Sequence, residues 1–230
     1  QAFTIHLLDV NEIPTLDAIG NSTICYTPAQ QTIALSGISA GEDRGQTVVV
    51  SVSAGNPALF SQLIVSGNEL RYRLKEGAAG TSLVTLTVTD NGDTDNGGTN
   101  TFSRSFTLRV NSLPVIGIAS DKGEEISKGL EARLTATGGV SYRWSNAHGI
   151  LEGQNTATLK LRPAQTTTYR VRVTSAEGCE SEQEFTLKVK DNYTVLVGNN
   201  IMSPNGDGVN DKFKIENIDM YPNNTVKIYD

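Results

Sequence analysis

Hydrophobic and polar residues alternate with a period of two along most of the chain. Val48, Val50 and Val52 share one face of the run 46–53, and Leu70, Tyr72 and Leu74 share one face of 70–74. Val84, Leu86 and Val88 form a third stripe, and Phe106, Leu108 and Val110 a fourth. Successive side chains of a strand point to opposite faces of its sheet, so this pattern predicts strands with one buried and one solvated side. Strands are expected at 31–38, 46–53, 62–65, 70–74, 83–89 and 102–110. No stretch carries a convincing helical period of 3.6 residues.

Turn residues recur roughly every 8–12 positions between these runs, the signature of a β-sandwich, and 15–112 is read as one such module. A second spans 113–190, opening at Leu113, Pro114, Val115, Ile116 and Ile118. Alternation continues there through Leu130, Ala132 and Leu134, then Tyr142 and Trp144, Leu159 and Leu161, Tyr169, Val171 and Val173, and Phe185, Leu187 and Val189. One Trp on an early strand, and a Tyr two residues ahead of a buried strand position, is the immunoglobulin-like arrangement. Leu134 and Val171 take the places of that fold's two cysteines, and Trp144 is expected in the core against them. Residues 1–8 also alternate, with Phe3, Ile5 and Leu7 on one face. A lone strand does not fold, so 1–14 is read as the last strand and linker of a preceding module. The expected fold class is all-β: tandem immunoglobulin-like β-sandwich modules, then the start of a C-terminal β-domain at 191–230.

That last segment holds the chain's densest turn chemistry: Ser203, Pro204, Asn205, Gly206, Asp207, Gly208, Val209, Asn210 and Asp211. Pro204 fixes φ, Gly206 and Gly208 permit positive φ, and the short oxygen-bearing side chains bond their own backbone. Strand-like runs flank it at 193–197, 213–215 and 226–229, so a β-arch closed by an acidic glycine-rich loop is expected. With Tyr221-Pro222-Asn223-Asn224 and Val226-Lys227-Ile228-Tyr229 downstream, the region resembles the start of the gliding-motility-associated C-terminal domain. That domain is the type B sorting domain of the Bacteroidetes type IX secretion system. The resemblance covers 197–230 and departs from the family where the chain stops at Asp230, before an expected Arg-Trp-Gly turn. It implies export to the cell surface and recognition by outer-membrane components of the secretion machinery.

Two other segments raise the question of calcium. Asp9-Val10-Asn11-Glu12-Ile13-Pro14 resembles the linker of the cadherin family, with Asp9, Asn11 and Pro14 matching in character, Glu12 in place of an Asp, and one residue missing. The loop 90–98 places Asp90, Asp93 and Asp95 within six positions. Either segment can supply oxygens to a hard cation, and either can be plain: an extended linker ended by Pro14, or a solvated hairpin loop. Asp9, Asn11, Glu12, Asp90, Asp93 and Asp95 are the candidate metal residues, with calcium the candidate ion and no other cofactor. The runs 32–38, 56–59 and 88–92 resemble bacterial cadherin-like repeats of large surface adhesins. Loop 203–211 lacks both the leading acid and the closing Glu of an EF-hand, where Ser203 and Lys214 stand instead.

Composition narrows the functional classes. The chain has 230 residues, 37% hydrophobic and 6% aromatic, which suits several thin cores better than one thick one. Net charge is −6, from 19 Lys and Arg against 25 Asp and Glu, with no basic cluster, so nucleic-acid binding is not expected. No apolar run approaches the roughly 20 residues of a membrane span. Residues 1–10 do not read as a leader peptide, so on this reading an export signal precedes them. Gly37-Ile38-Ser39-Ala40-Gly41 has the nucleophile-elbow spacing, but a turn-like 42–45 follows where a helix is needed. Trp144, Tyr142 and Tyr169 can be core or a sugar platform, and core is the simpler reading. Arg143, Arg162, Arg170 and Arg172 should form a mildly basic solvent face.

Cys25 and Cys179 fall in different expected modules and are expected to stay unbonded, because a disulfide needs Cα atoms within about 7 Å. The second module also resembles immunoglobulin-like or PKD-like modules that precede this sorting domain. That resemblance implies a partner for Cys179 near position 128, where this chain has Lys128. The expected function is a non-catalytic stalk or adhesin region of a surface-attached protein, with glycan or another surface molecule as candidate ligand. The alternative is the accessory and sorting region of a secreted polysaccharide-degrading enzyme with its catalytic domain upstream.

Overall fold

A computed structural model describes residues 10–43, 45–191, 196–197, 203–208, 211–213, 215–216 and 225–227. The strand expected at 1–8 lies outside them, as do Asp9, Val209, Asn210 and 221–224.

The first sandwich comprises β1 (Ser22–Cys25), β2 (Gln31–Ala34), β3 (Val48–Ala54), β4 (Phe60–Ser66), β5 (Glu69–Leu74), β6 (Gly80–Asp90) and β7 (Thr101–Asn111). One sheet runs β1-β7-β6-β3 and the other β2-β5-β4. Leu70, Tyr72, Leu74, Val84, Leu86, Val88, Phe106, Leu108 and Val110 are all buried in one core, as their alternation predicts. The outward face of β6 and β7 is polar and paired: the hydroxyls of Thr85 and Ser105, and of Thr87 and Ser103, lie 2.8 Å apart. Burial raises the Tyr72 phenol above its usual pKa. β1, which alternation did not reveal, pairs parallel with β7 over four residues, Ser22↔Leu108 to Cys25↔Asn111. The run 31–38 forms strand only over its first half, and Gly37 turns the chain at φ +66° where Asp17 packs against it.

The second sandwich comprises β8 (Gly117–Ser120), β9 (Glu125–Ser127), β10 (Ala132–Thr137), β11 (Ser141–Trp144), β12 (Ile150–Glu152), β13 (Thr158–Leu161), β14 (Thr167–Thr174) and β15 (Glu180–Lys190). Its sheets run β12-β13-β10-β8 and β11-β14-β15-β9. Trp144 is 3% exposed, and Leu134, Leu159, Leu161, Tyr169, Val171 and Val173 are fully buried. Both large aromatics satisfy their polar ends: Trp144 Nε1 donates to the Thr156 carbonyl at 3.1 Å and Tyr169 Oη to that of His148 at 2.8 Å. The arginines expected to face solvent do so, and three of the four are paired with carboxylates. Arg172 pairs with Glu182 at 2.8 Å, Arg170 with Glu184, and Arg162 with Glu131, so the face is not basic.

The cysteines correct the expectation. Cys25 and Cys179 form a disulfide, with Cα atoms 5.5 Å apart. Contacts group Val173–Ser181 and Gly138–Ser141 with residues 1–116 in one compact unit, and Gly117–Thr137, Tyr142–Arg172 and 182–230 in another. Cys179 directly follows the turn between β14 and β15, where Gly178 adopts φ +82° and donates to the Ser175 carbonyl at 3.1 Å. That hairpin tip thus belongs to the same unit as Cys25, and separation in sequence was a poor guide. Lys128 pairs with Asp191 at 3.2 Å. Disulfides persist in oxidising surroundings, in accord with an exported protein.

Toward the C-terminus, β16 (Leu196–Val197) pairs antiparallel with β17 (Ile215–Glu216), which places the 203–211 loop at the closed end of a β-arch.

Candidate functional site

The 203–211 loop is held by its own side chains. Gly206 and Gly208 adopt φ +81° and +85°, the left-handed region that disfavours a Cβ. Their N–H groups then converge, and the Asp211 carboxylate accepts both: Gly206 N–H to Oδ1 at 2.8 Å and Gly208 N–H to Oδ2 at 2.7 Å. These bonds hold the Asp211 carboxyl below the usual carboxylate range. Asn205 closes the other half, accepting from Asp207 N–H at 3.3 Å and donating to Asp207 Oδ2 at 2.9 Å. A backbone nest that could hold an external anion is filled from within. Residues 203–208 are all exposed. Asn210 lies outside the described residues.

The second candidate is where the linker meets the first sandwich. Asn11 Nδ2 donates to Asp90 Oδ1 at 3.1 Å and to the Thr99 carbonyl at 3.1 Å. Gln46 Nε2 donates to Asn11 Oδ1 at 2.7 Å and to Asp43 Oδ2 at 3.3 Å, and Asp43 Oδ2 also accepts the Glu12 N–H at 2.9 Å. Glu12 Oε2 accepts the N–H of Glu42 at 2.7 Å. A Cβ on Gly92 would lie 1.9 Å from Asn11 Oδ1, so the loop must be glycine there to seat the linker. Asp90 is 5% exposed, and its Oδ2, like Gln46 Oε1, is buried with no hydrogen-bond partner among the described residues.

Of the candidate metal residues, the fold therefore joins Asn11 and Asp90, with Glu12 one residue along. Asp93 and Asp95 stand apart: both are exposed, and Asp93 Oδ1 accepts the Asp95 N–H at 3.2 Å within their own turn. Asp43 and Gln46 were not legible as site residues because the 41–47 loop has no motif; only its docking on Asn11 reveals them. Among the described residues, no group of three or more His, Cys, Asp or Glu is placed to hold a metal.

Among the described residues, the side-chain hydrogen bonds of Ser39 are those of a turn. Its hydroxyl accepts the Gly41 N–H at 3.1 Å within a turn, and no helix follows. The sugar-platform reading of Trp144 and Tyr169 is overturned by their burial, with Tyr142 half-buried. An open polar cleft of about 560 Å³ beside β11 is lined by Arg143, Ser145, Asn146, Gln154 and Asn155 among others. No helix among the described residues is long and apolar enough to cross a membrane.

Residues 196–230 match the family described as the CHU_C Type IX secretion signal domain. No curated protein matches the chain in sequence. Among solved structures, the N-terminal eight Ig domains of the Down syndrome cell adhesion molecule are similar at 13% identity, TM-score 0.48, over 77% of this chain and 27% of that one. Insect hemolin is similar at 16% identity, TM-score 0.40, over 78% and 47%, and Drosophila N-cadherin EC1-4 at 10%, TM-score 0.36, over 79% and 50%. The chain thus spans about a quarter to a half of the length of these structures, and the likeness is one of strand arrangement only. The C-terminal match marks the protein for export through the type IX system, to the cell surface or the medium, and implies recognition by that machinery.

Proposed function

We propose that the two sandwiches are non-catalytic stalk modules of an adhesive surface protein, and that outer-membrane components of the type IX machinery grip the loop 203–211. One observation carries the reading: the family match at 196–230 coincides with an exposed loop already locked by Asp211. A rigid loop loses little conformational entropy when a receptor closes on it. The sandwiches offer buried cores and paired surface ions rather than a convergent acid, base and nucleophile.

Removing 196–230 from the chromosomal copy tests this. Both sandwiches should remain protease-resistant while the protein is retained inside the outer membrane. Unaltered display on intact cells would count against the reading. The alternative, an accessory region of a polysaccharide-degrading enzyme, shares the same sorting step. Hydrolytic activity assigned to a domain upstream of these modules would favour it.

A second reading concerns calcium, which the orphaned Asp90 Oδ2 favours. Asn11, Asp43, Gln46 and Asp90 would supply the oxygens, with Asp9 and Glu12 adjacent in the linker. The ion would neutralise a buried carboxylate and fasten the linker to the loop ends of the first sandwich. With few carboxylates, affinity should fall in the extracellular range of about 10⁻⁴–10⁻³ M.

A further inference from the structure

The Cys25–Cys179 bond divides the chain topologically. Its ends are 154 positions apart in sequence and 5.5 Å apart in space. Strands β2 to β14 lie inside the closed loop; β1 ends at Cys25, and β15 begins at Glu180, immediately after Cys179. A pull on the two ends of the chain therefore runs along β1, across the sulfurs and out along β15, and bypasses everything between.

We propose that this disulfide is a mechanical clamp that keeps strands β2 to β14 out of the path of tension, leaving β1 and β15 to carry it. The inference rests on the stalk reading for its purpose, but its geometry is independent of it. β1 is a four-residue strand at the edge of its sheet, paired on one side only, to β7. Its hold is a few backbone hydrogen bonds, each individually weak in water. Were the chain continuous only through the peptide backbone, tension would peel β1 and pass to β2. The cores of 31–174 would then open strand by strand. Cys25 stands at the last residue of β1, and a covalent bond takes the load there. Cys179 is fully buried and Cys25 half-buried.

The test is single-molecule extension of the chain tethered at its two ends, under oxidising conditions and after reduction. At about 3.3–3.6 Å per extended residue, the loop of 154 positions stores about 50 nm of contour. The oxidised chain should reach a maximum extension about 50 nm shorter than the reduced one, and only the reduced one should release that length in unfolding steps. The pair Cys25→Ser with Cys179→Ser should behave like the reduced chain. Maximum extension does not depend on whether a variant folds, so a misfolded serine variant still reports. Equal extension of the oxidised and reduced chains would overturn the clamp. Because pulling requires neither export nor display, its failure is distinguishable from failure of the sorting and stalk reading.

Discussion

The carboxylate of Asp211 accepts the backbone N–H of Gly208 at 2.7 Å, closing the loop on itself. The N–H of Gly206 reaches the same carboxylate at 2.8 Å, and together these bonds lower its pKa. A group whose folded pKa is lowered stabilises the fold fully above its unfolded value, about 3.9 for aspartate, and loses that effect as pH falls through the folded value. The amide resonances of Gly206 and Gly208 should therefore hold steady from neutral pH to about 4 and move below it. Asp211→Ala should displace both at every pH. Resonances of the Ala variant identical to the parent's would show that the carboxylate does not hold the loop.

Trp144 fills the second sandwich while its indole N–H is satisfied by the Thr156 carbonyl. Trp144→Ala should cost about 3–5 kcal/mol, the usual range for a large core aromatic. Chemical denaturation followed by circular dichroism measures this. A loss under about 1 kcal/mol would mean that the side chain is not a core element.

Gly92 gives way to Asn11, whose Oδ1 would stand 1.9 Å from an added Cβ. Gly92→Ala should displace the linker and break the Asn11–Asp90 hydrogen bond. Protease cleavage of the linker near 10–14 should then accelerate several-fold relative to the parent. Equal cleavage rates would show that the linker does not depend on this seat.

Asp90 bears one partnered and one orphaned oxygen. Under the calcium reading, saturating Ca²⁺ at about 100 times Kd should add roughly 2.7 kcal/mol, visible as a raised Tm reversed by chelator. Asp90→Asn should abolish the response, whereas Asp93→Asn should retain it. A response retained in full by Asp90→Asn would remove Asp90 from the site.

The strands of the first sandwich were legible because a half-buried strand writes its period into the sequence: Val84, Leu86 and Val88 alternate with threonines that face water. β1 was not legible, since its four residues are mostly half-buried and its partner lies more than 80 positions away. Trp144 was placed correctly by the same alternation. The disulfide depends on one hairpin tip joining the unit that holds Cys25, a three-dimensional fact with no local signature. Sequence singled out the linker and the 90–98 loop separately. Their meeting at Asn11, and the share of Asp43 and Gln46 in it, required the fold.

The central claim is that 203–211 is a sorting element whose shape depends on two left-handed glycines and one carboxylate. A side chain at Gly206 or Gly208 has room but must adopt positive φ, at about 1–2 kcal/mol each. The most direct measurement is surface labelling of intact cells expressing the protein with Gly206→Val and Gly208→Val, beside the parent and Asp211→Ala. The account predicts sandwiches that fold and cellular protein that persists, with surface label reduced at least several-fold in both variants. Equal label on parent and variants would contradict it, and the loop would then be a structural turn with no part in export.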